Sequence, residues 1–397
     1  MKRREFLFGT AATATAAAII PNLWGCKKDE ACPTPESQTH FNYLEVSGTH
    51  YDIGKQIGTR FSKEILAAQF AIGDNILTPT KGIVQSAPDV FYDPFLEAAQ
   101  NYFPDYVDEL QGIADGSGIS FQDILISNIF MEVLYLYFEL TGKKKFSVPP
   151  SYGCSSTAYS KNGKSFLTHN EDLFTSFISY MYLLKIKVTG KPEILTLSYP
   201  GTIPGIPPGM NEAGIVQCGN DIQGLHIEQS VPMVFHFRSV LDATSLDDAV
   251  DRAKFPHRAR TMTHNIGSFN ENKIVSVEAA PTKNESHNVD GFYVHTNHYI
   301  LPEMLDIVID PSGLPSSESR FNKLTELSGA YADKPNDVNG DLITSFMASH
   351  DAEMPPCVHD HDGSSTLSHS VFDFQEKNWK LYYSNPCLGN SKTFSTD

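Results

Sequence analysis

The chain has 397 residues, a formal net charge of −17, 41% apolar residues and 19% charged residues. That is a globular composition long enough for a large core, so a disordered chain and a disulfide-stapled miniprotein are both excluded. The acidic balance argues against a nucleic-acid partner, and no unbroken apolar run reaches the ~20 residues of a bilayer span.

Met1-Lys2-Arg3-Arg4-Glu5-Phe6-Leu7 has the paired arginines of a twin-arginine export signal, and Phe6 to Ile20 reads as its apolar region. Leu23-Trp24-Gly25-Cys26 resembles a lipobox, although Trp24 replaces the usual small residue. Residues 1–26 are therefore expected to be a signal peptide and 27–40 a flexible tether, with the protein exported and lipid-anchored at Cys26, periplasmic or at the cell surface. Plain secretion with an incidental Cys26 is the alternative. Export permits disulfides, and Cys357 with Cys387 is a possible pair.

Residues 41–140 show mainly helical periodicity. A helix opens at Tyr51 and carries Ile53, Ile57, Phe61 and Ile65 at spacings of three and four. Asp93-Pro94 reads as a second start, with Asp93 as cap, and Pro104 divides that helix. Ser120, with Asp123 three residues on, reads as the cap of a third. The loop from Lys143 to Tyr152, with Pro149-Pro150, closes this half.

From Gly153 onward strands arrive in antiparallel pairs. Ser155–Ser160 and Ser165–Asn170 flank Asn162-Gly163, a two-residue hairpin turn. Residues 182–188 and 194–199 read as another strand pair, 274–279 and 291–296 as strands, and 368–374 with 379–384 as a last hairpin. Helices are expected at 245–254 and 316–329. Paired strands with helices between them indicate an α+β layered sandwich.

Cys154 sits at the seam between the halves, among Gly153, Ser155, Ser156 and Thr157. A structural cysteine more often lies among apolar residues. Gly153 lacks a Cβ and leaves its carbonyl open to attack by the thiol. Cleavage there would make Cys154 chain-terminal, and its α-amine would then act as base for its own thiol. The hairpin register sets Cys154 opposite Glu171 and Gly153 opposite Asp172, so His169-Asn170-Glu171-Asp172 lies beside the cysteine. A single bulge would exchange the two carboxylates, so both remain open.

Gly153-Cys154-Ser155-Ser156, followed by an aspartate eighteen positions after the cysteine, resembles the acyl-CoA:isopenicillin N acyltransferase family of autoproteolytic N-terminal-nucleophile (Ntn) hydrolases. Gly48 to Gly54 resembles that family's opening helix, and Ala352 to Cys387 its closing segment. The resemblance implies a four-layer αββα sandwich with a helical N-terminal segment. Residues 41–153 would be the α subunit and 154–397 the β subunit after self-cleavage. It further implies Cys154 as nucleophile, Asp172 as its supporting aspartate and Arg320 as the site arginine. Asn265, after Thr263-His264, matches the oxyanion asparagine, and Ser319 an aid to self-cleavage. Asn170, Glu171 and His264 are secondary candidates. The implied reaction is hydrolysis of a linear amide through an acyl-thioester on Cys154, favoured over transfer from acyl-CoA because export removes the enzyme from cytosolic thioesters. The expected partner is a small amide or peptide. No cofactor is expected, and no metal ligands are assigned. Two rivals remain: a non-catalytic ligand-binding lipoprotein on the same scaffold, and a metal-dependent hydrolase using His359 and His361.

Overall fold

The computed structural model describes residues 40–71, 76–142, 153–361 and 363–395. The expected signal peptide, Cys26, the tether up to residue 39 and the Pro149-Pro150 loop lie outside the described residues.

Strand β1 (Asn42–Gly48) leads into α1 (His50–Arg60). Thr49 caps this helix reciprocally: its hydroxyl accepts from Asp52 N at 3.2 Å, and the Asp52 carboxylate accepts from Thr49 N at 3.1 Å. The expected continuous helix breaks at buried Phe61, and α2 (Ser62–Ala71) continues it. After α3 (Thr78–Ser86) and α4 (Pro88–Phe91), the helix begun at Asp93 divides at Pro104 as expected, into α5 (Asp93–Tyr102) and α6 (Pro104–Ser117). Tyr92, not Asp93, holds the cap position of α5. A Cβ at Gly54 would overlap the Glu109 carbonyl, and one at Gly112 the Tyr51 carbonyl, so α1 and α6 pack backbone against backbone. In α7 (Phe121–Thr141) the Ser120 hydroxyl accepts from Asp123 N at 3.1 Å, while the Asp123 carboxylate turns to Lys81. By length and composition α7 is apolar enough to cross a membrane, but 61% of its apolar window is buried inside this fold.

The remaining elements build two sheets. The strands are β2 (Ser155–Lys161), β3 (Lys164–Phe174), β4 (Tyr182–Val188), β5 (Ile194–Ser198), β6 (Gly209–Asn211), β7 (Ile215–Asp221), β8 (Met262–Ser268), β9 (Lys273–Ala279), β10 (Asn284–Asn288), β11 (Gly291–His295), β12 (Ser364–Asp373), β13 (Asn378–Tyr383) and β14 (Ser391–Ser395). The helices are α8 (Met233–Val240), α9 (Leu246–Ala253), α10 (Leu314–Gly329) and α11 (Gly340–Met347). One sheet has the order β1-β4-β5-β6-β7-β8-β9-β10 and the other β11-β2-β3-β12-β13-β14. β2 and β3 lie across β7 and β9, so the sheets face each other. Helix α9 covers β8 and β9, while α10 and α11 cover β2, β3, β11 and β12. This is the expected αββα layering. Asn162 and Gly163 have φ of 55° and 76°, the left-handed pair that a tight hairpin requires.

The helical half is joined to the sheets in two ways. β1 pairs in parallel with β4 over Asn42–Gly48. A buried charge network crosses the same boundary. Glu109 Oε2 on α6 meets His50 Nδ1 at 2.6 Å and Arg238 Nη2 at 3.4 Å. Arg238 also donates to Asp242 Oδ1 at 2.7 Å, and Asp242 Oδ2 accepts from Lys191 at 2.6 Å and Tyr106 at 2.8 Å. Burial opposes ionisation of Asp242, but Arg238 and Lys191 overcome it and hold its carboxyl below the ordinary range.

Candidate active site

Cys154 stands immediately ahead of β2. The hairpin pairs Ser155 with Asn170 and Ser156 with His169 without interruption, a register that carries Cys154 to Glu171. The bulge in this region lies on the other edge of β3, between Thr366 and Ser368 of β12. Glu171 is therefore the carboxylate on the face of Cys154, with Oε1 at 3.6 Å from Sγ. Tyr199 donates its hydroxyl to the same oxygen at 2.5 Å. Glu171 Oε2 meets His169 Nε2 at 3.1 Å, and His169 Nδ1 meets Ser156 Oγ at 2.8 Å. All five side chains are buried. Burial, reinforced by the charge of Glu171, pushes the Cys154 thiol up to about 12, so in the intact chain it is held protonated at neutral pH.

Asp172 points differently. Its Oδ1 accepts from Thr366 Oγ1 at 2.6 Å, while Oδ2 is buried and has no hydrogen-bond partner among the described residues. Burial raises this carboxyl to about 7, against the opposing pull of Arg320 and the Thr366 hydroxyl. Arg320 reaches in from α10 as a fork. Nη1 donates to the Cys154 carbonyl at 2.7 Å and to Ser155 Oγ at 2.9 Å, and Nη2 donates to Asn297 Oδ1 at 2.7 Å. A Cβ at position 153 would collide with Asn297 Oδ1 and the Arg320 guanidinium, which explains a glycine there.

Asn265 lies in mid-strand on β8. Its amide nitrogen donates to Ser156 Oγ, two residues after the cysteine, at 3.2 Å and to Asn220 Oδ1 at 3.0 Å. The side-chain amide at the cavity wall beside Gly153 and Cys154 is instead that of Asn297, just past β11. The Ser319 hydroxyl accepts from Met354 N at 3.2 Å. The serine that serves this region is Ser317, which accepts from Asn297 N at 2.7 Å. His264 packs on Phe237 and is held well below its usual range by burial, away from the cysteine. Asn170 ties β3 to the Met347 and Pro356 carbonyls. Sequence reasoning missed Asn297, Tyr199 and Ser317. The polar triplet Thr296-Asn297-His298 directly after an expected strand was the available signal for the first.

Gly153, Cys154, Glu171, Asp172 and Asn297 open onto a cavity of about 160 Å³. Much of its remaining lining is apolar, with Ile76, Phe130, Met131, Phe174, Phe177 and Ile206. Asp221, paired with Arg260, also lines the cavity, as does Glu132, whose carboxyl burial raises. Such a site suits a thiol nucleophile acting on an amide that carries an apolar group. His359, expected with His361 in the metal reading, groups instead with His350, Cys357 and Cys387; the last two are free thiols with sulfurs 3.7 Å apart.

The family model for the acyl-coenzyme A:6-aminopenicillanic acid acyl-transferases matches residues 159–387. The chain is 24% identical to beta-alanyl-dopamine/carcinine hydrolase of Drosophila melanogaster over 86% of this chain and 92% of that protein. It is also 24% identical to the acyl-coenzyme A:6-aminopenicillanic-acid-acyltransferase of Emericella nidulans, over 73% and 78% respectively. Among solved structures, a conjugated bile acid hydrolase of Clostridium perfringens superposes with a TM-score of 0.42 and 16% identity, covering 58% of this chain and 89% of that one.

Proposed function

The chain belongs to the acyl-coenzyme A:6-aminopenicillanic acid acyl-transferase family and is an amide hydrolase or acyltransferase of the Ntn type, and on that premise we propose an exported, lipid-anchored hydrolase of small linear amides that matures by self-cleavage before Cys154. The observation that carries this reading is the setting of the Gly153–Cys154 peptide. It borders a cavity that Asp172 also lines; the next carbonyl along the chain, that of Cys154, accepts from Arg320, the Cys154 thiol lies against Glu171, and Asp172 Oδ2 has no hydrogen-bond partner among the described residues.

In maturation Glu171 accepts the thiol proton, and sulfur attacks the Gly153 carbonyl carbon. The C–N bond to Cys154 breaks as the proton passes to the departing nitrogen. Water then hydrolyses the thioester, leaving a Gly153 carboxylate and a Cys154 α-amine. Asp172 Oδ2 receives a hydrogen bond from that new amine, which orients it to act as base for its own thiol. In turnover the same sulfur forms an acyl-thioester with substrate and releases an amine; water completes the hydrolysis. The Asn297 side-chain nitrogen donates one hydrogen to the Asp221 carbonyl at 2.7 Å, and its second N–H is the neutral donor offered to the developing oxyanion, the role that the family resemblance implies for Asn265. Hydrolysis is preferred to acyl-CoA-dependent transfer because export separates the enzyme from cytosolic thioesters. The β-alanyl amides named for the fly relative are the first substrates to try.

Intact mass spectrometry of purified protein tests the reading, with a thiol-reactive acyl probe added. Two fragments meeting at 153/154 and acylation of the new N-terminal cysteine are expected. A wild-type chain that stays whole and unlabelled refutes it.

A further inference from the structure

Outside the active site, the segment from His350 to His359 and the turn around Cys387 bring four side chains to one point. His350 Nε2, Cys357 Sγ, His359 Nε2 and Cys387 Sγ all lie within 4.8 Å of one another. We propose that these four residues form a structural Zn²⁺ site of the Cys₂His₂ type. With Zn–S of about 2.3 Å and Zn–N of about 2.0–2.1 Å, a regular tetrahedron has edges of about 3.8 Å between sulfurs, about 3.6 Å between sulfur and nitrogen and about 3.4 Å between nitrogens. The observed separations are 3.7 Å for Cys357–Cys387, 3.8 Å for Cys357–His359, 3.1 Å for His359–Cys387 and 3.1 Å for His359–His350. The sulfurs are too far apart for a bond, which requires about 2.05 Å, and their spacing is that of two thiolates sharing one cation.

The surroundings match. Asn385 donates its side-chain amide to Cys357 Sγ at 3.4 Å and to the Val358 carbonyl at 2.6 Å, the kind of supporting bond that orients a thiolate ligand. All four positions of a tetrahedral ion would be filled by protein, which marks a structural rather than a hydrolytic metal. The ion would tie the 350–359 segment to the C-terminal turn. That junction leads to the active site: Val358 N donates to Thr366 Oγ1 at 3.0 Å, and Thr366 in turn holds Asp172.

The test is metal content and cobalt spectroscopy on the full chain, purified without reductant or chelator. Wild type should hold about one zinc per chain. After chelation and Co²⁺ addition it should show thiolate-to-cobalt charge transfer with the intense visible bands of a tetrahedral centre. His350→Ala and Cys387→Ser should lose most of the zinc, whereas Cys154→Ala should retain it, which separates this site from the nucleophile. Wild-type protein that binds no zinc even when Zn²⁺ is added, or whose mass and thiol count show a Cys357–Cys387 disulfide, overturns the proposal. So does a cobalt complex without the charge-transfer band, an outcome that does not depend on any variant folding.

Discussion

Two buried polar clusters in this molecule handle carboxylates in opposite ways. At the junction of the helical half and the sheets, Asp242 meets two cations and a tyrosine hydroxyl, and its proton is held off. Beside Cys154, Asp172 has one hydroxyl on one oxygen and, among the described residues, no partner on the other, and burial raises it to about 7. Both groups are buried, so burial alone does not mark chemistry. What separates a clamp from a reactive acid is whether the lone pairs are already committed and whether a cavity reaches the free one.

The sharpest break in that comparison is Cys154→Ala. Amide hydrolysis should fall by about 10⁴-fold or more, and denaturing electrophoresis should show one full-length band. Asp242→Ala should act in the opposite register. Removing one partner of a buried ion network should cost about 3–5 kcal/mol of stability in denaturant unfolding, with little change in turnover by the protein that remains folded. Because the folded carboxyl is depressed, its contribution is present above the ordinary aspartate value of about 4 and is lost as pH falls below it, so wild type should lose this clamp in acid and Asp242→Ala should not. Asn297→Ala should lower kcat by about 10²–10³-fold while Asn265→Ala falls less; equal losses would return the oxyanion role to the residue on β8.

The mildest change sharpens the Asp172 side. Its folded value lies above the unfolded one, so ionisation opposes folding, and stability should decline as pH rises from about 4 through about 7. Asp172→Asn should abolish that decline. Thr366→Val removes a donor to the ionised form and should shift the midpoint upward by up to about one pH unit, read as the pH profile of calorimetric melting.

The site was legible in the sequence wherever local chain geometry carried it. The Asn162-Gly163 turn dictates the β2–β3 register, and that register alone delivers Glu171 to Cys154. Arg320 was legible through the family motif, but its fork onto the Cys154 carbonyl was not, because α10 is brought over β2 by packing of residues far apart in the chain. Asn265 and Asn297 each lie in a polar triplet that begins with a Thr, and only the end of β11 at His295 shows which one leaves the sheet toward the cavity. Strands β7 and β8 went unread for a related reason. They are buried on both faces, yet Gln217, Asn220, His264 and Asn265 interrupt the apolar run that such burial ordinarily produces. β1 left little trace because its alternation is short and its partner β4 is some 140 residues away.

That remote pairing decides what a cut at Gly153 would release. The upstream piece supplies a whole edge strand to the eight-stranded sheet and one half of the Glu109–Arg238 contact, so scission would yield an interlocked heterodimer and no free subunit. Halves produced from separate genes should regain structure only when renatured together, in the manner of a split reporter.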